Sequence, residues 1–258
     1  MQHASQLSQE ILPIVEFVRR VFVKNNKKHA VIAVSGGIDS AVALSLLVQA
    51  WPKQQIWPIL LPYGRQEMID ATTILDFWQI PLENRKILNI ASMVDATCKS
   101  LQITDADKVR KGNVIARTRM MAIFDYAKKK DGLVVGTENK SEHYLGYFTR
   151  FGDQASDLEP LATLYKTQVR QIAQTLDLPP IFLEKPPSAD LWPEQSDEQE
   201  LGFSYELADS VLHYLLEQKL QPAEILQLFN QEQQATVNKI LVRVETMAFK
   251  RQTPYTLA

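Results

Sequence analysis

Four short apolar runs punctuate the first half of the chain: Ala30 to Val34, Gln55 to Leu61, Lys86 to Ile90 and Gly132 to Thr137. Runs of this length, bounded by turn-forming residues, predict strands, the first and last buried on both faces. Between them apolar residues return at helical spacing: Leu44, Leu47 and Val48 after the first run, then Asp70 to Trp78 after the second. A longer helix is predicted up to Lys130, with Val114, Met121 and Phe124 on its apolar face and Thr104-Asp105-Ala106-Asp107 as its cap. Ahead of everything, Leu7, Ile11, Val15, Val18 and Phe22 line one stripe of an amphipathic helix that Pro13 should begin or bend. Strands alternating with helices in this way predict a doubly wound, largely parallel sheet with helices on both faces.

Beyond Gly146 the texture changes. Phe148 to Asp157 is polar, a helix is predicted from Thr167 to Leu176, and Pro179 to Ser196 is proline-rich with little periodicity. Helical patterns return from Tyr205 to Glu217 and from Pro222 to Met247, so the C-terminal part is expected to be helical. No repeat and no linker divides the chain, and residues 1–258 are expected to form one domain.

The first strand runs into Ala33-Val34-Ser35-Gly36-Gly37-Ile38-Asp39-Ser40 and then a helix. Glycines let backbone approach an anion closely, and a helix start presents N–H groups and the positive end of its dipole. The loop fits neither the Walker pattern nor the dinucleotide Gly-x-Gly-x-x-Gly fingerprint. Asp39 would repel a phosphate unless a cation lay between them, which Mg²⁺ held by carboxylates and substrate phosphates provides. On spacing alone, a structural turn with Asp39 complementing the helix dipole accounts for the residues equally well. Glu142, just beyond the fourth strand, stands where it could reach the same cation, although an isolated glutamate is more often a surface residue. In the long helix Asn113 and Arg117 share a side, while Arg119 points elsewhere. Gly64-Arg65-Gln66 follows the second strand at the ligand-binding end of such sheets.

Composition narrows the classes. The chain has 258 residues with 45% hydrophobic content, enough for a sizeable core, and a net charge of −2. That balance argues against a nucleic-acid surface. The single Cys98 excludes an internal disulfide framework and is expected to pack as a small apolar group. Leu7 to Val23 carries Glu16, Arg19 and Arg20, so it is read as neither signal peptide nor membrane span, and a cytoplasmic location is expected.

Ser35-Gly36-Gly37-Ile38-Asp39-Ser40 resembles the loop of the ATP pyrophosphatases, which split ATP between its α- and β-phosphates. The remaining signals are similar, in order and spacing, to NAD synthetase: Gly112-Asn113 with Arg117, Gly136-Thr137 with Glu142, and Gly146 to Asp153 with Asp157. Lys166 with Arg170, Lys185 to Leu191, and Asp197-Glu198 with Tyr205 continue the match, which runs from about residue 30 to the C-terminus. The resemblance implies an adenine-nucleotide alpha hydrolase-like fold and the ATP-dependent amidation of deamido-NAD by ammonia, through an adenylate. It implies that residues 33–40, Thr137, Lys166 and Ser188 hold ATP, that Asp39 and Glu142 bind Mg²⁺, and that Arg117, Arg150, Asp157 and Lys250 bind deamido-NAD. Asp39, Lys166 and Asp157 would be the catalytic set, Asp157 orienting or deprotonating the ammonia. It further implies a homodimer and a mobile segment from Pro180 to Leu201.

The chain departs from the family at three places: Arg150 replaces a lysine, Gln154-Ala155 a glycine pair, and Phe249 a histidine. No amidase domain or glycine-framed cysteine is present, so free ammonia is expected as the nitrogen source. The alternatives are another ATP pyrophosphatase acting on a different carboxylate, or a nucleotide-binding module without turnover.

Overall fold

The structure is a computed structural model that describes residues 2–192 and 195–257, with side chains from residue 11 onward. The side chain of Leu7 in the N-terminal stripe, and positions 193 and 194 of the proline-rich segment, therefore lie outside the described set. The chain opens with α1 (Gln2–Lys24), β1 (His29–Ala33), α2 (Ile38–Ala50), β2 (Ile56–Leu60), α3 (Ile69–Phe77) and β3 (Lys86–Ile87). Next come α4 (Ala91–Ser100), α5 (Lys108–Lys130), β4 (Gly132–Val135), α6 (Lys140–Leu145) and α7 (Lys166–Thr175). The C-terminal part comprises α8 (Ile181–Glu184), α9 (Asp197–Leu201), α10 (Tyr205–Leu216), α11 (Pro222–Gln227), α12 (Gln231–Thr246) and α13 (Ala248–Arg251).

All strand pairs are parallel, in the order β3-β2-β1-β4. Alternation along β1 sends Ala30 and Ile32 to one face and Val31 to the other, and each face is covered. On the first face α1, α2, α3 and α7 pack, with Phe22 stacked on Trp51 at a centroid distance of 4.7 Å. On the second, α4 and α5 pack around Val94, Cys98, Ile115 and Ile123. A third cluster joins Leu145, Tyr205, Leu212, Val237 and Ile240 among the C-terminal helices. The expected doubly wound architecture with a helical C-terminal part is the one observed.

Four boundaries differ from expectation. The third strand keeps only two ladder residues, both exposed, because it is the sheet edge. The stretch Ala91–Ser100 forms a helix that its sparse apolar pattern, Val94 and Cys98 alone buried, does not announce. The predicted helix over Pro222 to Met247 is two helices, since Asn230 accepts the Gln233 N–H at 3.0 Å and starts α12 afresh. Asp107 precedes α5 without a side-chain cap bond and instead pairs with Arg110.

Pro13 lies within α1 rather than at its start. The stripe it follows still docks, with Val18 and Phe22 wholly buried. Truncating Phe22 removes the ring that fills the space between α1 and Trp51. Phe22→Ala is therefore expected to destabilise the protein by about 3–5 kcal/mol in urea denaturation; a loss below about 1 kcal/mol would show that α1 is not part of the cooperative core.

Candidate active site at the sheet switch point

From β1 the chain winds outward through β2 to β3, then returns to place β4 on β1's other side. The order reverses between β1 and β4, and in open parallel sheets a crevice forms at the strand ends there. The segments leaving those two strands, 34–40 and 136–142, carry the candidate residues.

Gly36 has φ +89°, the left-handed region, and a Cβ there would lie 2.8 Å from Asp70 Cβ. Only glycine lets the loop turn this tightly against the start of α3. Ser40 Oγ donates to Gly37 O at 2.9 Å, and Ser35 Oγ accepts the Gly37 N–H at 3.2 Å, which holds the turn shut. No side chain caps α2 at Gly37. Its first-turn amides are thus left for an anion, the arrangement expected of a phosphate-holding helix start.

Asn139 organises the other side. Its side-chain oxygen accepts the Glu142 N–H at 3.0 Å, and Glu142 Oε2 accepts the Asn139 N–H in return, a capping box that starts α6. The Asn139 amide then donates to Asp39 Oδ1 at 2.8 Å, tying the two crevice walls together. Lys166, the first residue of α7 and 2% exposed, places Nζ 2.5 Å from Asp39 Oδ2 and 2.9 Å from Glu142 Oε1. Lys166 in turn is anchored through its backbone N–H, which donates to Ser141 Oγ at 2.8 Å.

Electrostatics make this cluster unbalanced. One ammonium serves two carboxylates whose side chains are only 18% and 16% exposed. Burial, then the neighbouring Asp39 charge, lifts Glu142 well above the usual carboxylate range, and Lys166 only partly offsets them. Burial works against the Lys166 ammonium, but the Asp39 and Glu142 charges outweigh it and hold its proton firmly. An all-oxygen pair converging on one cation suits a hard divalent ion that shares its remaining positions with phosphate and water. Among the described residues no three His, Cys, Asp or Glu side chains gather to hold a metal unaided. Two carboxylate oxygens on one cation are a donor set that a hard divalent ion such as Mg²⁺ fits.

Of the other residues singled out by the sequence, Thr137 is half-buried on the same strand end as Asn139. Ser188 lies in the segment between α8 and α9, its Oγ accepting the Asp190 N–H at 3.1 Å. Arg117 and Arg150 meet elsewhere: Arg117 Nε donates to Arg150 O at 3.2 Å, and Asn113 Oδ1 accepts from Thr149 on the same loop. Phe249 lies against the Arg150 guanidinium, 5.1 Å from ring centroid to Cζ, so two of the positions where a departure from the family is expected touch each other. Lys250 donates to Gly146 O and Phe148 O, and this ties the C-terminal segment to the turn after α6. Asp157 is exposed, with Oδ2 accepting the Val134 N–H at 2.7 Å. No hydrogen bond or ion pair joins it to the lysine cluster among the described residues. Arg119 does turn away from Arg117, toward Leu61 O and Gln66 Oε1.

Comparison with known proteins gives the family. The NAD synthase family model matches residues 10–254. This chain belongs to that family. It is 40% identical over 245 residues to the NH(3)-dependent NAD(+) synthetase of Fusobacterium nucleatum, covering 93% of this chain and 92% of the relative. With the Pyrococcus furiosus NH(3)-dependent NAD(+) synthetase the identity is 38%, over 93% and 91% of the two chains. Among solved structures, NMN synthetase from Francisella tularensis superposes with TM-score 0.80 at 32% identity, covering 97% and 98%. The NH3-dependent NAD synthetase of Campylobacter jejuni, in complex with nitrate, gives TM-score 0.80 at 28% identity, covering 98% and 99%.

Two residues that the sequence reading passed over shape the site. Asn139 carried a legible signal, an asparagine three residues before a glutamate at a helix start. Glu159 carried none: it reads as a surface acid, yet its Oε1 is buried without a partner and a Cβ on Gly136 would strike it at 1.8 Å. Burial raises Glu159 from the usual 4.5 to about 8. Between those two values the folded state keeps a proton that the unfolded chain has released, so stability falls as pH rises across that window. The Tm advantage of Glu159→Gln over the natural protein is thus expected to grow by several degrees from pH 5 to pH 8 in calorimetry. A difference that stays constant with pH would refute the shifted ionisation.

Proposed function

We propose that the protein condenses deamido-NAD with free ammonia at the expense of ATP, releasing NAD, AMP and pyrophosphate. The observation that carries this reading is the convergence of Asp39, Glu142 and Lys166 at the switch point of a chain belonging to the NAD synthase family. In this reading ATP lies with its phosphates along residues 33–40, Thr137, Lys166 and Ser188.

A carboxylate is a poor electrophile. Its oxygen attacks the α-phosphorus of ATP, an O–P bond forms, and the α–β bridge breaks to release pyrophosphate. Lys166, held charged by its two carboxylates, stabilises the negative charge gathering on the leaving group. Asp39 and Glu142 would hold Mg²⁺, whose charge would further neutralise the phosphates. Ammonia nitrogen then attacks the activated carbonyl, the C–O bond to AMP breaks, and a proton leaves the nitrogen. Asp157 keeps Val134 N–H on Oδ2, and its other oxygen is proposed to orient the amine. Arg117 and Arg150, joined through the Arg150 carbonyl, are proposed to hold the dinucleotide's phosphates or carboxylate, and Lys250 to fix the turn beside them. A homodimer belongs to the same proposal.

Magnitudes favour a charged clamp over the helix start alone. A helix N-terminus contributes at most about 2 kcal/mol, whereas micromolar affinity requires about 8. The lysine, the metal and the base contacts must supply the difference.

Incubation with ATP, Mg²⁺, ammonium and deamido-NAD is expected to yield NAD and AMP in equal amounts. Nicotinate mononucleotide offered in a separate reaction tests the product class named for the Francisella neighbour. Asp39→Asn should reduce NAD formation by at least a hundredfold while circular dichroism stays unchanged. Wild-type turnover in that variant would remove Asp39 from the reaction, and AMP release only with another carboxylate would overturn the substrate.

A further inference from the structure

The proline-rich segment after α8 is not loosely draped. Its base closes on Asp197, the first residue of α9, which is 2% exposed although it is a carboxylic acid. The Asp197 carboxylate and N–H bond to the segment and to the floor of the crevice. Oδ1 accepts the Ala189 N–H at 3.1 Å, and the Asp197 N–H donates to Pro187 O at 3.0 Å. Oδ2 accepts the Tyr205 hydroxyl at 3.2 Å, and the Tyr205 ring lies 5.2 Å from Lys166 Nζ. Tyr205 is itself 2% exposed, so the link from Ala189 to Lys166 runs through packed interior.

We propose that Asp197 is a positioning residue for the nucleotide: it fixes the Pro187–Ala189 turn, and with it Ser188, at a set distance from the Lys166 cluster. This deepens the reading in which Lys166 and Ser188 hold the phosphates, and rests on it. A buried carboxylate is costly unless its lone pairs are satisfied, and here two of its acceptors serve the turn and the tyrosine. Burial raises the Asp197 carboxyl, and the Lys166 charge opposes that rise. The segment has two further ties, Lys185 to Asp70 where it leaves α8 and Gln66 to Asp190 just past Ser188, both exposed. Asp197 differs from them in being buried and in bonding the backbone on either side of Ser188.

The test is calorimetric binding of ATP with Mg²⁺, and separately of deamido-NAD, to the intact protein and two variants. Asp197→Asn keeps the shape but replaces an acceptor by a donor facing an N–H or a hydroxyl. It should weaken ATP at least tenfold and leave deamido-NAD within twofold. Tyr205→Phe deletes one hydroxyl, leaves the ring packing, and should weaken ATP by about threefold with the same selectivity. Equal losses for both ligands, or none for either, in the folded Tyr205→Phe protein would overturn the assignment. If the natural protein forms no NAD yet its ATP binding depends on Asp197, the reaction proposed above fails and this inference stands. If NAD forms and both variants bind ATP normally, the inference fails alone.

Discussion

A single buried ammonium holds three separately encoded pieces of chain in one arrangement. Lys166 belongs to α7, Asp39 to α2 and Glu142 to α6, and no other ion pair joins these three among the described residues. Removing one partner from a buried pair typically costs about 3–5 kcal/mol, because the remaining charge is stranded away from water. The cluster here is stranded even when complete, with two acids to one base. Burial and the Asp39 charge raise Glu142 for that reason, and an added positive charge would favour its ionised form. In the proposed reaction, magnesium carried with a nucleotide would answer that imbalance.

The rest of the architecture can be understood as the means of keeping that cluster in register. The parallel sheet delivers Asp39 and Asn139 to adjacent strand ends, and the Asn139 amide bonds them directly. Asp209 of α10 does the corresponding work from the other side. It accepts from Ser141 Oγ and from the Thr167 N–H, so the starts of α6 and α7 are fastened through one carboxylate. Burial raises Asp209, while the hydrogen bonds from Ser141 and Thr167 pull it back. The C-terminal helices are thus a clamp on the helix starts that present Lys166 and Glu142, as well as a second core.

What the sequence disclosed follows from how local the relevant physics is. Strands buried on both faces and a glycine turn before a helix have short-range signatures, and the sheet and the 33–40 loop were legible from them. Glu142 was readable as a partner of Asp39 because both follow strand ends in the same sheet. Lys166 was not: a lone lysine gives no sign of being buried, and only the family resemblance pointed to it. Asp197, Asp209 and Glu159 share that opacity, since nothing in their neighbours' identities marks an acid as interior. Asn230 and Ala91–Ser100 were missed for a different reason. A helix restart inside a polar stretch, or a helix with two buried residues, barely alters the apolar periodicity.

Where the family resemblance implies a lysine and a histidine, this chain sets Arg150 and Phe249 in contact, so the two positions form a coupled exchange within that resemblance. Arg150 presents a planar fork where a lysine would present a point charge, and a planar cation can be stacked. Phe249 supplies the stacking face. A guanidinium pinned on one face loses torsional freedom but keeps its N–H edge for an anion, so the exchange trades adaptability for orientation. Lys250 reinforces this by donating to two carbonyls of the adjoining turn. The C-terminal segment therefore holds the Arg150 side chain and the turn after α6 from one side.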